Sequence, residues 1–205
     1  MQLANLFSTP VALHEQADLA ALNKEITDIL VRESETLPSL TRSNLGGWHS
    51  GYDLQNRPEA CFQKLNQLII AAAQQTGEAI AKQSGRKLVP VTATTQKWAM
   101  VMRHGDSSKP HCHSDASWAS VYYPDVGDDV EKAHPGSGAI TFVDPRSGFL
   151  YIPGLEMAVG EFVVNPKAGQ LLVFPGWLMH YVNPYKGQRP RVSIACNVMY
   201  QIIRQ

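Results

Sequence analysis

Residues 111–115 read His-Cys-His-Ser-Asp, and they are answered far downstream by His180 and by Arg191-Val192-Ser193. Side chains two apart on an extended backbone share a face, so His113 and Asp115 can converge on one ion while Ser114 points away. Two imidazoles and one carboxylate fill one face of an octahedral Fe(II) ion and leave positions for a cosubstrate and oxygen. The pattern predicts a metal centre of His113, Asp115 and His180, carried on a sheet.

His-x-Asp alone is a weak motif. A second one, His104-Gly105-Asp106, lies in a Gly/Asp/Ser/Lys/Pro stretch that reads as a turn, where such residues cap or bond locally. What distinguishes His113 and Asp115 is their company. Gly169 to Pro175 is an apolar run bounded by Gly and Pro, a buried strand; Pro175-Gly176 then turns the chain, and His180 falls on a short strand beyond it. Most lone histidines at such positions bind nothing. The segment Arg191 to Val198 alternates, with Val192, Ile194, Cys196 and Val198 on an apolar face and Arg191, Ser193, Ala195 and Asn197 on the other. An arginine there is partly buried, and a buried guanidinium needs a carboxylate or phosphate. The partner is either an Asp or Glu across the sheet or a ligand.

The order His-x-Asp, Gly-bounded strand, distal His and Arg-x-Ser resembles that of the 2-oxoglutarate/Fe(II)-dependent dioxygenases. More narrowly, Leu6 to Val11, His111-x-His113 followed by Ala119 to Tyr123, and Phe174 to His180 resemble a small bacterial and phage-associated branch. The likeness covers most of the chain, with Thr95 to Tyr200 carrying the specificity. It implies a mainly β fold with flanking helices: a double-stranded β-helix of the jelly-roll, cupin-like kind. It also implies that Fe(II) is the metal, that 2-oxoglutarate is the cosubstrate, and that Arg191 and Ser193 bind its distal carboxylate with Tyr123 as a third contact. Members of this branch often show His-x-His, so His111 is an alternate ligand, giving His111, His113 and His180. The anionic ligand favours Asp115, because it offsets part of the metal charge; His111 would then orient a ligand or substrate.

The elements that must hold these residues follow from periodicity. Leu19, Leu22, Ile26 and Leu30 recur at helical spacing from Asp18, as do Phe62, Leu65, Ile69, Ala72 and Ala79 after Pro58. Residues 1–87 are therefore read as mostly helical support, and 88–205 as the β-core of a single domain. Strands are expected over Val89–Arg103, Trp118–Tyr123, Gly138–Val143, Glu161–Asn165, Gly169–Phe174, Met179–Val182 and Arg191–Ile202, a spacing that suits a sandwich or barrel. Residues 43–52 read either as a loop at the mouth of the site or as an ordinary surface loop anchored by Trp48, and 144–157 as a long irregular segment, a candidate cap on the pocket. Asp125 to Asp129 is a solvated turn that lacks the calcium-loop ligand pattern.

Composition bounds the rest. With 205 residues, 44% of them hydrophobic, the chain can bury one substantial core. A formal net charge of zero without a Lys/Arg cluster argues against nucleic acid. The absence of a long apolar run argues against a membrane span and predicts a cytoplasmic protein. Cys61, Cys112 and Cys196 show no paired spacing, and Cys112 is expected to be a buried small hydrophobe. The reading is a hydroxylase acting on a small molecule, an amino-acid side chain or a peptide, with exposed hairpin edges making a homodimer plausible. Trp48, Tyr52, Trp118, Phe149 and Tyr151 are pocket candidates. Two rivals stand beside it: a cupin-like metalloenzyme that does not use 2-oxoglutarate, and a non-catalytic carboxylate-binding module.

Overall fold

The computed structural model describes residues 8–15, 18–146 and 160–203. In chain order the elements are β1 (Ala12–Glu15), α1 (Ala20–Thr36), β2 (Asn44–Leu45), β3 (Trp48–His49), a 3-10 turn (Leu54–Asn56), α2 (Ala60–Gln83), β4 (Val91–Met102), β5 (Ser107–Ser108), β6 (Trp118–Asp125), β7 (Ile140–Val143), β8 (Glu161–Val164), β9 (Gln170–Pro175), β10 (His180–Val182) and β11 (Arg191–Ile202). Six strands form one sheet in the order β1-β9-β6-β11-β4-β3, and β10-β7-β8 form a second. All the pairings are antiparallel.

The two helices cover one face of the large sheet. Leu22, Ile26 and Leu30 of α1 and Phe62, Leu65, Ile69, Ala72 and Ala73 of α2 pack against Ala99, Val101, Tyr122, Leu171, Val173, Val192, Ile194, Cys196 and Val198. The expected stripe holds except at Ala79, which is exposed; the buried side instead passes through Thr76 and Gly77, where Leu88 lies close. A second core of Ala119, Tyr123, Ile140, Phe142, Val164, Leu172, Phe174 and Leu178 fills the space inside. Every residue of β9 is buried because that strand is covered on both sides, which is why it reads as a continuous apolar run.

Strand alternation therefore divides the sheet's side chains between a helix-facing side and an interior side. Between Val192 and Ile194 the β11–β6 pairing shifts: Val192 opposes Asp125 while Ile194 opposes Tyr122, so β6 carries an extra residue. Such a bulge re-aims side chains. Here Tyr122 goes to the helices, where its hydroxyl donates to Asn23, while Tyr123 joins the interior beside Arg191. Residues 43–52, expected as loop, contain the short strands β2 and β3, the latter pairing with β4. Most of the segment expected as a loop over 144–157 lies outside the described residues, as do Leu6 and Phe7. No helix among the described residues is long and apolar enough to cross a membrane.

Candidate metal centre and carboxylate pocket

His111, His113 and His180 come together, each offering a ring nitrogen, with these atoms within 4.8 Å of one another. Ring centroids lie 4.5 Å apart for His111–His180 and 5.2 Å for both other pairs. The backbone fixes this. His111 and His180 form an isolated antiparallel bridge in which each N–H donates to the other's carbonyl at 2.9 Å. Two residues on, the His113 N–H donates to the Gly176 carbonyl at 2.7 Å. Gly176 must be glycine: a Cβ there would lie 2.2 Å from the Ala116 carbonyl oxygen and 2.5 Å from that of His113.

Tautomers follow from the partners. The Nδ1 of His111 lies 2.8 Å from the Lys109 carbonyl and that of His180 lies 2.9 Å from the Leu178 carbonyl. A carbonyl only accepts, so Nδ1 carries the proton and Nε2 keeps its lone pair, the arrangement expected of a metal-binding imidazole. Burial, reinforced by the neighbouring His111, holds His113 down at about 4. The same two causes hold His180 at about 3. Both rings are neutral near pH 7 and ready to donate to a cation.

Asp115 is placed differently from expectation. The chain turns after His113, at residues 114 and 115, and Asp115 is exposed. The alternation that would align it with His113 is broken, and its carboxylate is not among the clustered donors. Cys112, expected to be buried, is exposed for the same reason: it precedes a turn that nothing in the described residues covers. The other His-x-Asp behaves as its composition suggests, with the Asp106 carboxylate accepting the Arg103 N–H at 2.7 Å and His104 bonded to the Lys186 carbonyl.

Arg191 is 2% exposed. Its guanidinium sits 5.1 Å over the Tyr123 ring and directs one nitrogen at the Met102 sulfur, 3.4 Å away, while Nη2 has no partner. Among the described residues it has no ion pair. The Tyr123 hydroxyl, equally buried, lies close to the guanidinium but makes no hydrogen bond of good geometry to it or to any other group. Burial pushes its phenol up to about 12, against the pull of the Arg191 charge. Ser193 is 6% exposed on the same side of β11. A buried cation without a counter-charge is costly, and its fork geometry matches a carboxylate.

Aromatic side chains connect the histidines to the 43–52 segment. The Trp98 ring lies 5.5 Å from that of His113, 5.9 Å from His49 in a parallel stack and 5.1 Å edge-on from Tyr52. His49 and Trp98 are not legible in sequence as a pair, because they lie within β3 and β4 and meet only through the long-range pairing of those strands. Of the pocket candidates, Tyr52 joins this group. Trp48 is buried with its indole N–H donating to the Leu37 carbonyl, and Trp118 packs on the helix-side core. Phe149 and Tyr151 lie outside the described residues.

No curated protein matches the sequence. The fold resembles a prolyl-4-hydroxylase from Pseudomonas putida (TM-score 0.61, 20% identity, covering 98% of this chain and 96% of that one). It also resembles a prolyl hydroxylase from Trichoplax adhaerens solved with a hypoxia inducible factor oxygen degradation domain peptide fragment (TM-score 0.64, 12% identity, 95% and 85%). A third similar structure is HygX from Streptomyces hygroscopicus, solved with nickel and 2-oxoglutarate bound (TM-score 0.57, 11% identity, 93% and 83%). At these identities the likeness shows the fold alone, a double-stranded β-helix core. Residues 96–197, which carry the histidines and Arg191, match the family described as "Putative 2OG-Fe(II) oxygenase". The chain belongs to the 2-oxoglutarate/Fe(II)-dependent oxygenases, enzymes that take Fe(II) as metal and 2-oxoglutarate as cosubstrate.

Proposed function

We propose that His111, His113 and His180 hold the iron, that Arg191, Ser193 and Tyr123 hold the distal carboxylate of 2-oxoglutarate, and that the enzyme hydroxylates a small molecule or a peptide side chain. The observation that carries the reading is the guanidinium of Arg191, fully buried, without a carboxylate among the described residues, on the interior side that also bears the histidines. The donor set fits the metal: three neutral imidazoles suit Fe(II), as they suit Zn, Cu and Ni. The protein supplies no anionic ligand from this cluster, so charge compensation falls to the cosubstrate. That sets this ligand set apart from one of His113, Asp115 and His180.

Bound Fe(II) and 2-oxoglutarate supply the oxidising chemistry, with oxygen as oxidant and succinate and carbon dioxide as by-products. The chain's residues do the rest. His111 and His180 keep their Nε2 lone pairs available by donating Nδ1–H to backbone carbonyls. Arg191 and the Tyr123 hydroxyl offer paired donors to one carboxylate in the buried interior, where such contacts are strong. Phe142, Phe174 and Leu178 exclude water on the far side of His180. The likeness in fold to two prolyl hydroxylases, one of them solved with a peptide fragment, supports a peptide or amino-acid substrate.

The test is anaerobic. Adding 2-oxoglutarate to the Fe(II)-loaded protein should produce a visible metal-to-ligand charge-transfer band. Iron content should fall in His111→Ala and hold in Asp115→Ala. The reverse pair of results returns the centre to His113, Asp115 and His180. Tight metal binding without the band favours the cupin-like alternative.

A further inference from the structure

A third buried polar atom on the interior side has no use in the site as so far described. The side-chain carbonyl of Asn197 is cut off from solvent and accepts no hydrogen bond. Asn197 shares its face of β11 with Arg191 and Ser193, six residues from the arginine, or about 20 Å along an extended strand. The strand register orders what lies between. Ser193 opposes Met100, Ala195 opposes Trp98, and Asn197 opposes Gln96 on β4 and Ala119 on β6. Trp98 is the residue whose ring reaches His113. From one end of this face to the other run the guanidinium, the level of the histidines, and then the unpaired amide.

Opposed residues of an antiparallel pair project to the same side. Asn197 and Gln96 thus present two primary amides to one region, Gln96 being exposed and Asn197 half-buried. One amide can accept through its carbonyl while the other donates through its NH2, the complement of a peptide group. This end lies across the histidines from the carboxylate pocket, where a molecule to be oxidised must sit once the cosubstrate fills the Arg191 end. The unpaired carbonyl is not a sign of loose packing in these strands. On the helix-facing side of the same two strands, the buried Lys97 ammonium is bonded to Asn66 and, at 2.8 Å, to the Thr95 hydroxyl.

We infer that Asn197, with Gln96, forms an amide-recognition subsite for the oxidised substrate, Asn197 accepting the substrate N–H. The inference rests on the proposed carboxylate role of Arg191, since that fixes which end is free. It makes the substrate a peptide or another amide-bearing molecule.

The experiment uses the full chain, loaded anaerobically with Fe(II) and 2-oxoglutarate, and a panel of N-acetyl amino-acid N-methylamides paired with the matching esters, the O-acetyl 2-hydroxy-acid methyl esters, which replace both amide N–H groups by oxygen. Binding is read as a perturbation of the charge-transfer band, and coupling as succinate released under air. At least one amide should perturb the band and bind roughly tenfold tighter than its ester. Asn197→Leu should erase that discrimination while leaving 2-oxoglutarate affinity within about twofold; Asn197→Asp, which retains an acceptor, should keep most of it. A normal band that no amide perturbs, discrimination that survives Asn197→Leu, or a parallel loss of 2-oxoglutarate affinity overturns the subsite alone. No band in the parent protein overturns the Arg191 reading and the subsite with it.

Discussion

The two sides of β11 treat buried polar groups in opposite ways. Facing the helices, Lys97 on the neighbouring strand is bonded to Asn66 and Thr95, and Tyr122 on β6 to Asn23. Facing the interior, Arg191 Nη2, the Tyr123 hydroxyl and the Asn197 carbonyl are all buried without partners. Among the described residues the two other atoms of this kind, the hydroxyls of Thr27 and Tyr200, lie at the helices and at the far end of β11 rather than in the interior. Native structures leave few such groups, and on the proposed reading the three on one face of the sheet are where a ligand completes the bonding. On that reading one side of the sheet serves stability and the other occupancy.

Substitutions on the two sides should separate accordingly. The largest effect belongs to the histidines. His180→Ala removes one donor and the ring packed on Phe174, and iron affinity measured against a competing chelator should fall by more than about 100-fold; binding within tenfold of the parent would remove His180 from the centre. Next comes Arg191→Met assayed without cosubstrate. Replacing an unpaired buried charge with an apolar chain should raise unfolding stability by about 1–4 kcal/mol, read from denaturant melts. A fall instead would mean that the guanidinium has an internal role. On the packing side, Asn66→Ala strips an acceptor from buried Lys97 and should cost about 1–3 kcal/mol of stability, with 2-oxoglutarate affinity unchanged. Loss of that affinity would erase the distinction between the faces.

The smallest effect is on pH. In the metal-free protein, His113 and His180 titrate near 4 and 3, below an ordinary value of 6.5. The unfolded chain therefore binds more protons between these limits, and stability should decline as pH drops from about 6.5 toward 4. A metal-free stability that is flat over that window would contradict the burial of these rings.

Much of this was legible in sequence wherever one periodicity ruled. Leu22, Ile26 and Leu30 recur at helical spacing and are buried as that spacing requires, and the alternation from Arg191 to Asn197 correctly sorts both faces of β11. The fold class, the histidines at 113 and 180 and the buried Arg191 follow from such local patterns and from the family resemblance. What was hidden depends on tertiary geometry. Asp115 seemed aligned with His113 only while 111–115 was taken as one strand; the chain instead turns after His113, anchored to Gly176, and His111 is held by its bridge to His180. Nothing in the local sequence announces that bridge. The pairing of β3 with β4, which brings His49 and Tyr52 to Trp98, is likewise a long-range contact, and β3, two residues long, is too short to carry a periodic signal.

The central claim is that a guanidinium inside the barrel awaits the acid group of the cosubstrate. Anaerobic titration of 2-oxoglutarate into the Fe(II)-loaded parent and Arg191→Met proteins, followed by the charge-transfer band, tests it most directly. The half-saturation concentration should rise in the variant by a factor corresponding to about 2–5 kcal/mol, with iron content equal in both. Equal half-saturation in the two proteins would contradict the account.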